Sequence, residues 1–252
     1  MARKGRREPR PPQPLPPPLP PDKRTVGQLV AETVAFYRHH FFQTIPLGLS
    51  VAALTQLTVA FGRRYAEPRG HPPSRSLHDA TSVLGGGFGP TILVGALFLT
   101  GTYIAAFVLV TGERPDPRRL LTGYATGVLV FLPAPIFAVL LGPVGILPAV
   151  AYLAFAGWSV PAVVVEGCGF RESLRRSTRL ARVDYVHAIG GLATLVIVFY
   201  VTRLMLALLI RGGGELGERS AALLSDLVLS PMLFVGSAIL YVDQAARFEA
   251  RK

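Results

Sequence analysis

Residues 158–184 read WSVPAVVVEGCGFRESLRRSTRLARVD. An apolar run stops at Glu166, two glycines (Gly167 and Gly169) turn the chain, and a segment with five arginines follows. Those arginines are Arg171, Arg175, Arg176, Arg179 and Arg182. The pattern is that of a membrane span ending at the cytoplasmic face, then an amphipathic helix over 170–183 lying on that face. Phe170, Leu174, Leu180 and Ala181 supply its apolar side and arginines cover the rest. The other apolar runs fall on either side of this corner.

The bulk numbers agree. The 252 residues are 50% hydrophobic and 16% charged, whereas soluble domains carry about 25% charged residues. The length accommodates about six spans of roughly 20 residues. Net charge is +11, and the bases sit in short segments between apolar runs, so an anionic lipid surface is the expected partner. No aromatic residues interleave with the arginines of 171–182, which argues against nucleic acid. The single cysteine, Cys168, excludes an internal disulfide and a four-cysteine zinc site.

The chain divides into a head at 1–24 and a membrane domain at 25–252. The head is basic and proline-rich, without an apolar run after its charges, so it is not read as a cleaved signal peptide. Proline disfavours helix and sheet, leaving a disordered, solvated tail near anionic lipid, with a PxxP ligand as the alternative. Over Thr25–His40 the apolar residues Val26, Leu29, Val30, Phe36 and Tyr37 recur at helical spacing with Thr33, and Thr25 and Gln28 have capping-box spacing. This segment reads as an interfacial helix.

The expected fold is all-α, a polytopic bundle with spans at about 41–61, 91–111, 123–141, 144–165, 185–210 and 221–242. Pro46 is expected in the tolerant first turn of the first span. Pro133 and Pro135 are expected to kink the third, and the fourth contains Pro148 and Pro161. Asp243–Lys252 forms a charged tail. With both termini cytoplasmic, the inside segments hold nineteen basic residues and the outside loops six, as the positive-inside rule requires.

Two charges fall inside spans. Arg203 and Asp226 each lie roughly 8–10 Å below the outer boundary if spans five and six are antiparallel neighbours, and an ion pair would offset their burial. The alternative is a proton or substrate site. His39-His40 and the loop residues His71, His78 and Asp79 are read as non-ligating, so neither metal nor cofactor is expected. The glycine run at 85–90 lacks the lysine and Ser/Thr of a phosphate loop.

Trp158, Pro161 and Glu166-Gly167, followed by Leu174, Ser177 and Leu180 in Leu-x-x-Ser-x-x-Leu spacing, resemble the bacterial family named for the glycerophosphoryl diester phosphodiesterase membrane domain. Phe36-Tyr37-Arg38 before the first span is similar too, as is Leu240-Tyr-Val-Asp243 with Arg247 and Glu249 beyond it. Asp184 departs from the pattern, standing where the family has glycine. The resemblance implies a membrane part without the catalytic barrel that family phosphodiesterases carry separately. The sequence itself has no G-x-S-x-G elbow or H-E-x-x-H helix. Glu166 reads as an ion-pair partner or helix-start residue rather than a general base. Function is therefore expected to be that of a non-catalytic partner- or lipid-binding membrane module. A small transporter or membrane-embedded enzyme is the alternative, and would need a polar cavity at mid-depth.

Overall fold

The computed structural model describes residues 23–66, 89–134, 136–137, 142–210 and 214–251. The head at 1–22 and most of the 62–90 loop, with His71, His78, Asp79 and residues 85–88, lie outside them, as does Pro135. All regular structure among the described residues is helical. The elements are α1 (Val26–His39), α2 (Phe41–Ala66), α3 (Gly89–Thr111), α4 (Pro117–Phe131), α5 (Ile146–Ala156), α6 (Ser159–Val164), α7 (Phe170–Val183), α8 (Tyr185–Leu209) and α9 (Gly214–Ala250). A short 3-10 turn, Gly142–Gly145, precedes α5.

Among the described residues, four stretches are long and apolar enough to cross a membrane: Ile92–Thr111, Leu147–Val164, Tyr185–Leu209 and Arg219–Ala250. Within α2, Phe41–Leu57 forms a shorter apolar stretch. The region expected as a third span is helical as α4 and turns at Leu132. Along α8 the side chains of Ile197, Leu204, Met205 and Leu208 are all more than half exposed. So much contiguous apolar surface is unfavourable in water and suits hydrocarbon.

α9 is the hub, packing on α8, α2, α1, α3 and α7. It carries Val235, Ala238 and Leu240, all fully buried. An aromatic chain crosses from α3 to α9: the Tyr103 ring lies 4.8 Å from Phe107 and 5.2 Å from Phe131, and Phe107 lies 5.5 Å from Tyr241. The capping box of α1 is present, with Thr25 accepting from the Gln28 amide and Gln28 accepting from the Thr25 amide. Leu29 and Thr33 of α1 are fully buried, because α1 packs against α8 and α9.

Prolines place the breaks differently from expectation. α2 starts at Phe41, so Pro46 sits beyond the first turn and cannot donate to the Phe42 carbonyl. Leu147–Val164 is divided at Gly157-Trp158 into α5 and α6. Pro161 has no N–H for the Gly157 carbonyl four residues earlier, and the helix gives way there. α9 holds Pro231 within its length, which frees the Leu227 carbonyl. Gly48 of α2 packs directly on that carbonyl, and a Cβ at Gly48 would overlap its oxygen. The residues expected as a charged tail continue α9 as helix through Ala250.

Candidate functional site

The polar residues collect at the end of the bundle where α6 meets α7 and α9 passes its last turns. The corner begins at Gly167, whose φ of +73° favours glycine. Its amide donates to the Val163 carbonyl at 3.1 Å, and that of Cys168 donates to Ala162 at 3.1 Å. Gly169, by contrast, is extended at φ −69° and ψ 162° as the N-cap of α7, so only one of the two glycines is needed for its backbone.

α7 is seated by a narrower face than its apolar residues suggest. Ser173, Ser177, Leu180 and Ala181 are buried, whereas Phe170 is exposed and Leu174 half-buried. The Ser177 hydroxyl donates to the Phe155 carbonyl, at the end of α5, where the helix break beside Trp158 leaves carbonyls in need of donors. The Ser173 hydroxyl turns back to Phe170 at 2.8 Å. Arg171, Arg175, Arg179 and Arg182 consequently point outward and are exposed.

Arg176 is the exception. Its Nε lies 2.9 Å from Glu166 Oε2 and its Nη2 donates to Oε1 at 3.2 Å, a two-pronged ion pair. Tyr241 donates its hydroxyl to Glu166 Oε1 at 2.6 Å. The Arg176 guanidinium also sits 4.4 Å over the Phe248 ring and 3.7 Å from Glu249. Glu166 is thus engaged by α7 and α9 together. Cys168 lies beside it, and burial followed by the charges of Glu166 and Glu172 pushes its thiol pKa up, against a smaller opposing effect of Arg176.

A second cluster lies on the neighbouring face of α9. Asp243 is fully buried. Its Oδ2 is 2.6 Å from His187 Nε2 and accepts from Arg247 Nε at 3.1 Å. Arg247 reaches on to Asp184 Oδ2 at 3.0 Å and donates to the Arg24 carbonyl. Asp184 is both the end of α7 and the N-cap of α8, and it accepts from the His187 amide at 3.1 Å. Its φ is −147°, outside the left-handed region, so its backbone does not require glycine. One residue, Arg247, joins the start of α1, the α7–α8 corner and α9.

Of the residues singled out in the sequence, Glu166 and Arg176 meet; Asp243 stands in the second cluster. Trp158 and Pro161 are buried in the core, and Ser177 anchors α7 inward. Arg175 and Arg179 face solvent. Arg203 and Asp226 lie at the other end, with Nη1 3.3 Å from Oδ1; Asp226 is 1% exposed and the Arg203 side chain 36%. His187 is a residue that the sequence reading misses. Two spacings could have flagged the second cluster: Asp243 to Arg247 at i,i+4, and Asp184 three residues before His187 as an N-cap. His40 stacks on Phe36 with centroids 4.3 Å apart. Among the described residues no group of three His, Cys, Asp or Glu side chains could hold a metal.

Between the helices a small cavity of about 90 Å³ is walled by Tyr103, Phe131, Trp158, Leu192 and Phe234, with Ser237 as its polar edge. The chain matches no protein-family model, no curated protein and no solved structure.

Proposed function

We propose that this chain is a non-catalytic, multi-pass membrane module whose arginine-rich end faces the cytoplasm and holds anionic lipid head groups. The observation that carries the reading is the mounting of α7: its small buried face leaves Arg171, Arg175, Arg179 and Arg182 exposed on successive turns. Guanidinium groups on a fixed helix at a bilayer surface pair with phosphate. On the six-span reading, the excess of basic residues in the segments on this side supports an orientation with both termini inside. The short motifs around Trp158, Glu166 and Ser177 support kinship with the bacterial family of glycerophosphoryl diester phosphodiesterase membrane domains, and a cell-membrane location with it. A membrane protein partner on the same face fits this reading as well. Transport would call for a polar route at mid-depth, and the aromatic lining of the 90 Å³ cavity favours packing instead.

The test is lipid selectivity. The full chain would be reconstituted in phosphatidylcholine vesicles containing spin-labelled phosphatidylglycerol or spin-labelled phosphatidylcholine. The wild type should immobilise more phosphatidylglycerol. Changing Arg171, Arg175, Arg179 and Arg182 together to Gln should remove most of the preference while leaving thermal unfolding unchanged. Equal immobilisation of both lipids by the wild type would sink the proposal.

A further inference from the structure

α2 and α4 stand apart and expose the α3 surface between them. The result is an open groove of about 730 Å³. Its floor is Gly101, Ile104 and Ala105, and its walls are Pro46 and Leu47 on one side and Leu121 and Tyr124 on the other. A neighbouring pocket continues it along α3 to Leu97 and Phe98. Gln43, Leu109 and Pro117 stand at the end nearest the arginine-rich face.

We propose that this groove is a binding site for one acyl chain of a phospholipid of the cytoplasmic leaflet. Three observations carry it. The first is length: Leu97 to Leu109 spans roughly 18 Å of helix at 1.5 Å per residue, close to half of the roughly 30 Å hydrocarbon thickness. The groove is thus one leaflet deep. The second is polarity, which changes along it. The body is mostly apolar, with the Ser50 and Thr102 hydroxyls paired to each other toward its Leu97 end, and the other end carries Gln43 and abuts the 112–116 loop and the first turn of α4, whose exposed Arg114 and Arg118 suit a phosphate. Glu113 and Asp116 are exposed there too, leaving the three arginines of residues 112–119 in excess by one. The third is shape. The exposed residues of α8 offer lipid a convex helix, whereas a chain on the α3 floor is touched from three sides and gains more dispersion contacts. The site rests on the membrane reading of the chain and is independent of the α7 arginines.

The experiment uses phosphatidylglycerol bearing a photoactivatable diazirine on one acyl chain, in phosphatidylcholine vesicles holding the full chain. After irradiation, adducts are mapped by peptide mass spectrometry. The groove residues of Leu97–Leu109 and Leu120–Tyr124 should be labelled well above Ile197–Leu208 of α8, which reports bulk lipid. Ala105→Phe should reduce groove labelling about tenfold, because the added ring takes the space of the acyl chain and weakens its binding, without changing α8 labelling. Gly101→Leu is the second filling variant, since a Cβ there meets only Tyr124 Cε2, at 3.7 Å. Groove labelling no higher than on α8, or unchanged in both variants while their unfolding temperatures match wild type, would overturn the site. Groove residues left unlabelled in a protein that has the mass of a dimer in mild detergent would overturn it too, by showing a second copy in the groove. If the α7 variant loses its head-group preference while groove labelling persists, the two lipid sites are separate.

Discussion

The Cα of Gly48 in α2 lies against the carbonyl oxygen of Leu227 in α9, the oxygen that Pro231 leaves without an intrahelical donor. The missing N–H of one residue thereby shapes the packing of another. A carbonyl bared on a helix surface accepts a close Cα–H, a weak interaction worth about 0.5–1 kcal/mol, provided that nothing larger than hydrogen stands there. Gly48→Ala should therefore lower stability by about 1–3 kcal/mol, the usual range for overpacking. Gly27→Ala, where a Cβ meets nothing within 4 Å, should be neutral or raise stability by up to about 1 kcal/mol through helix propensity. Thermal unfolding in mild detergent compares the two, and equal effects would show that the Leu227 contact has no special weight.

Arg203 and Asp226 predict an asymmetry. Asp226 is nearly fully buried and Arg203 is about one-third exposed. Removing the arginine strands a carboxylate in an apolar setting, whereas removing both charges does not. Arg203→Ala should destabilise, and adding Asp226→Leu should recover part of the loss, with a coupling of about 1 kcal/mol after discounting for the exposure of Arg203. Strict additivity in the double mutant cycle would rule out an energetically coupled pair.

Asp243 gathers His187 and Arg247 with no exposed surface of its own. Asp243→Ala should cost about 3 kcal/mol, as for breaking a buried charge pair, and loosen the final turns of α9. Trypsin should then cut sooner after Arg247 and Arg251. Asp243→Asn keeps an acceptor oxygen and should fall between. Wild-type cutting rates in Asp243→Ala would mean that Arg247 is held by Asp184 and the Arg24 carbonyl alone.

The thiol of Cys168 predicts a pH effect. Burial and then the Glu166 and Glu172 charges raise its pKa, so less thiolate is present at neutral pH and alkylation by iodoacetamide should be slower than for an unhindered thiol. Glu166→Gln removes a raising charge and releases the Arg176 guanidinium to act on the thiol. The rate-versus-pH curve should shift to lower pH. An unmoved or upward-shifted curve would contradict the assigned cause.

Much of the helical framework is legible in the sequence. Long apolar runs admit few other answers once backbone groups must be satisfied without water, and the Thr25–Gln28 box starts α1 where its spacing says. The elements at the corner are less so. α7 turns Ser173 and Ser177 inward because a carbonyl at the end of α5 needs a donor, and hydropathy scores a serine only as polar. The charged tail is helix because Arg247 lies one turn beyond Asp243 and both find partners on α7 and α8, information that no local window contains.

The order of apolar and basic segments, read along the chain, was enough to identify candidate membrane spans and an arginine-bearing helix, because hydrophobic burial and charge solvation act on each stretch separately. Which polar groups meet is a different kind of fact. His187 with Asp243, Tyr241 with Glu166 and Gly48 with Leu227 are contacts between residues at least 56 positions apart. They exist because the helix break at Gly157-Trp158 and close-packed glycines such as Gly48 set how the helices cross, and those crossings emerge only when all the helices are packed at once.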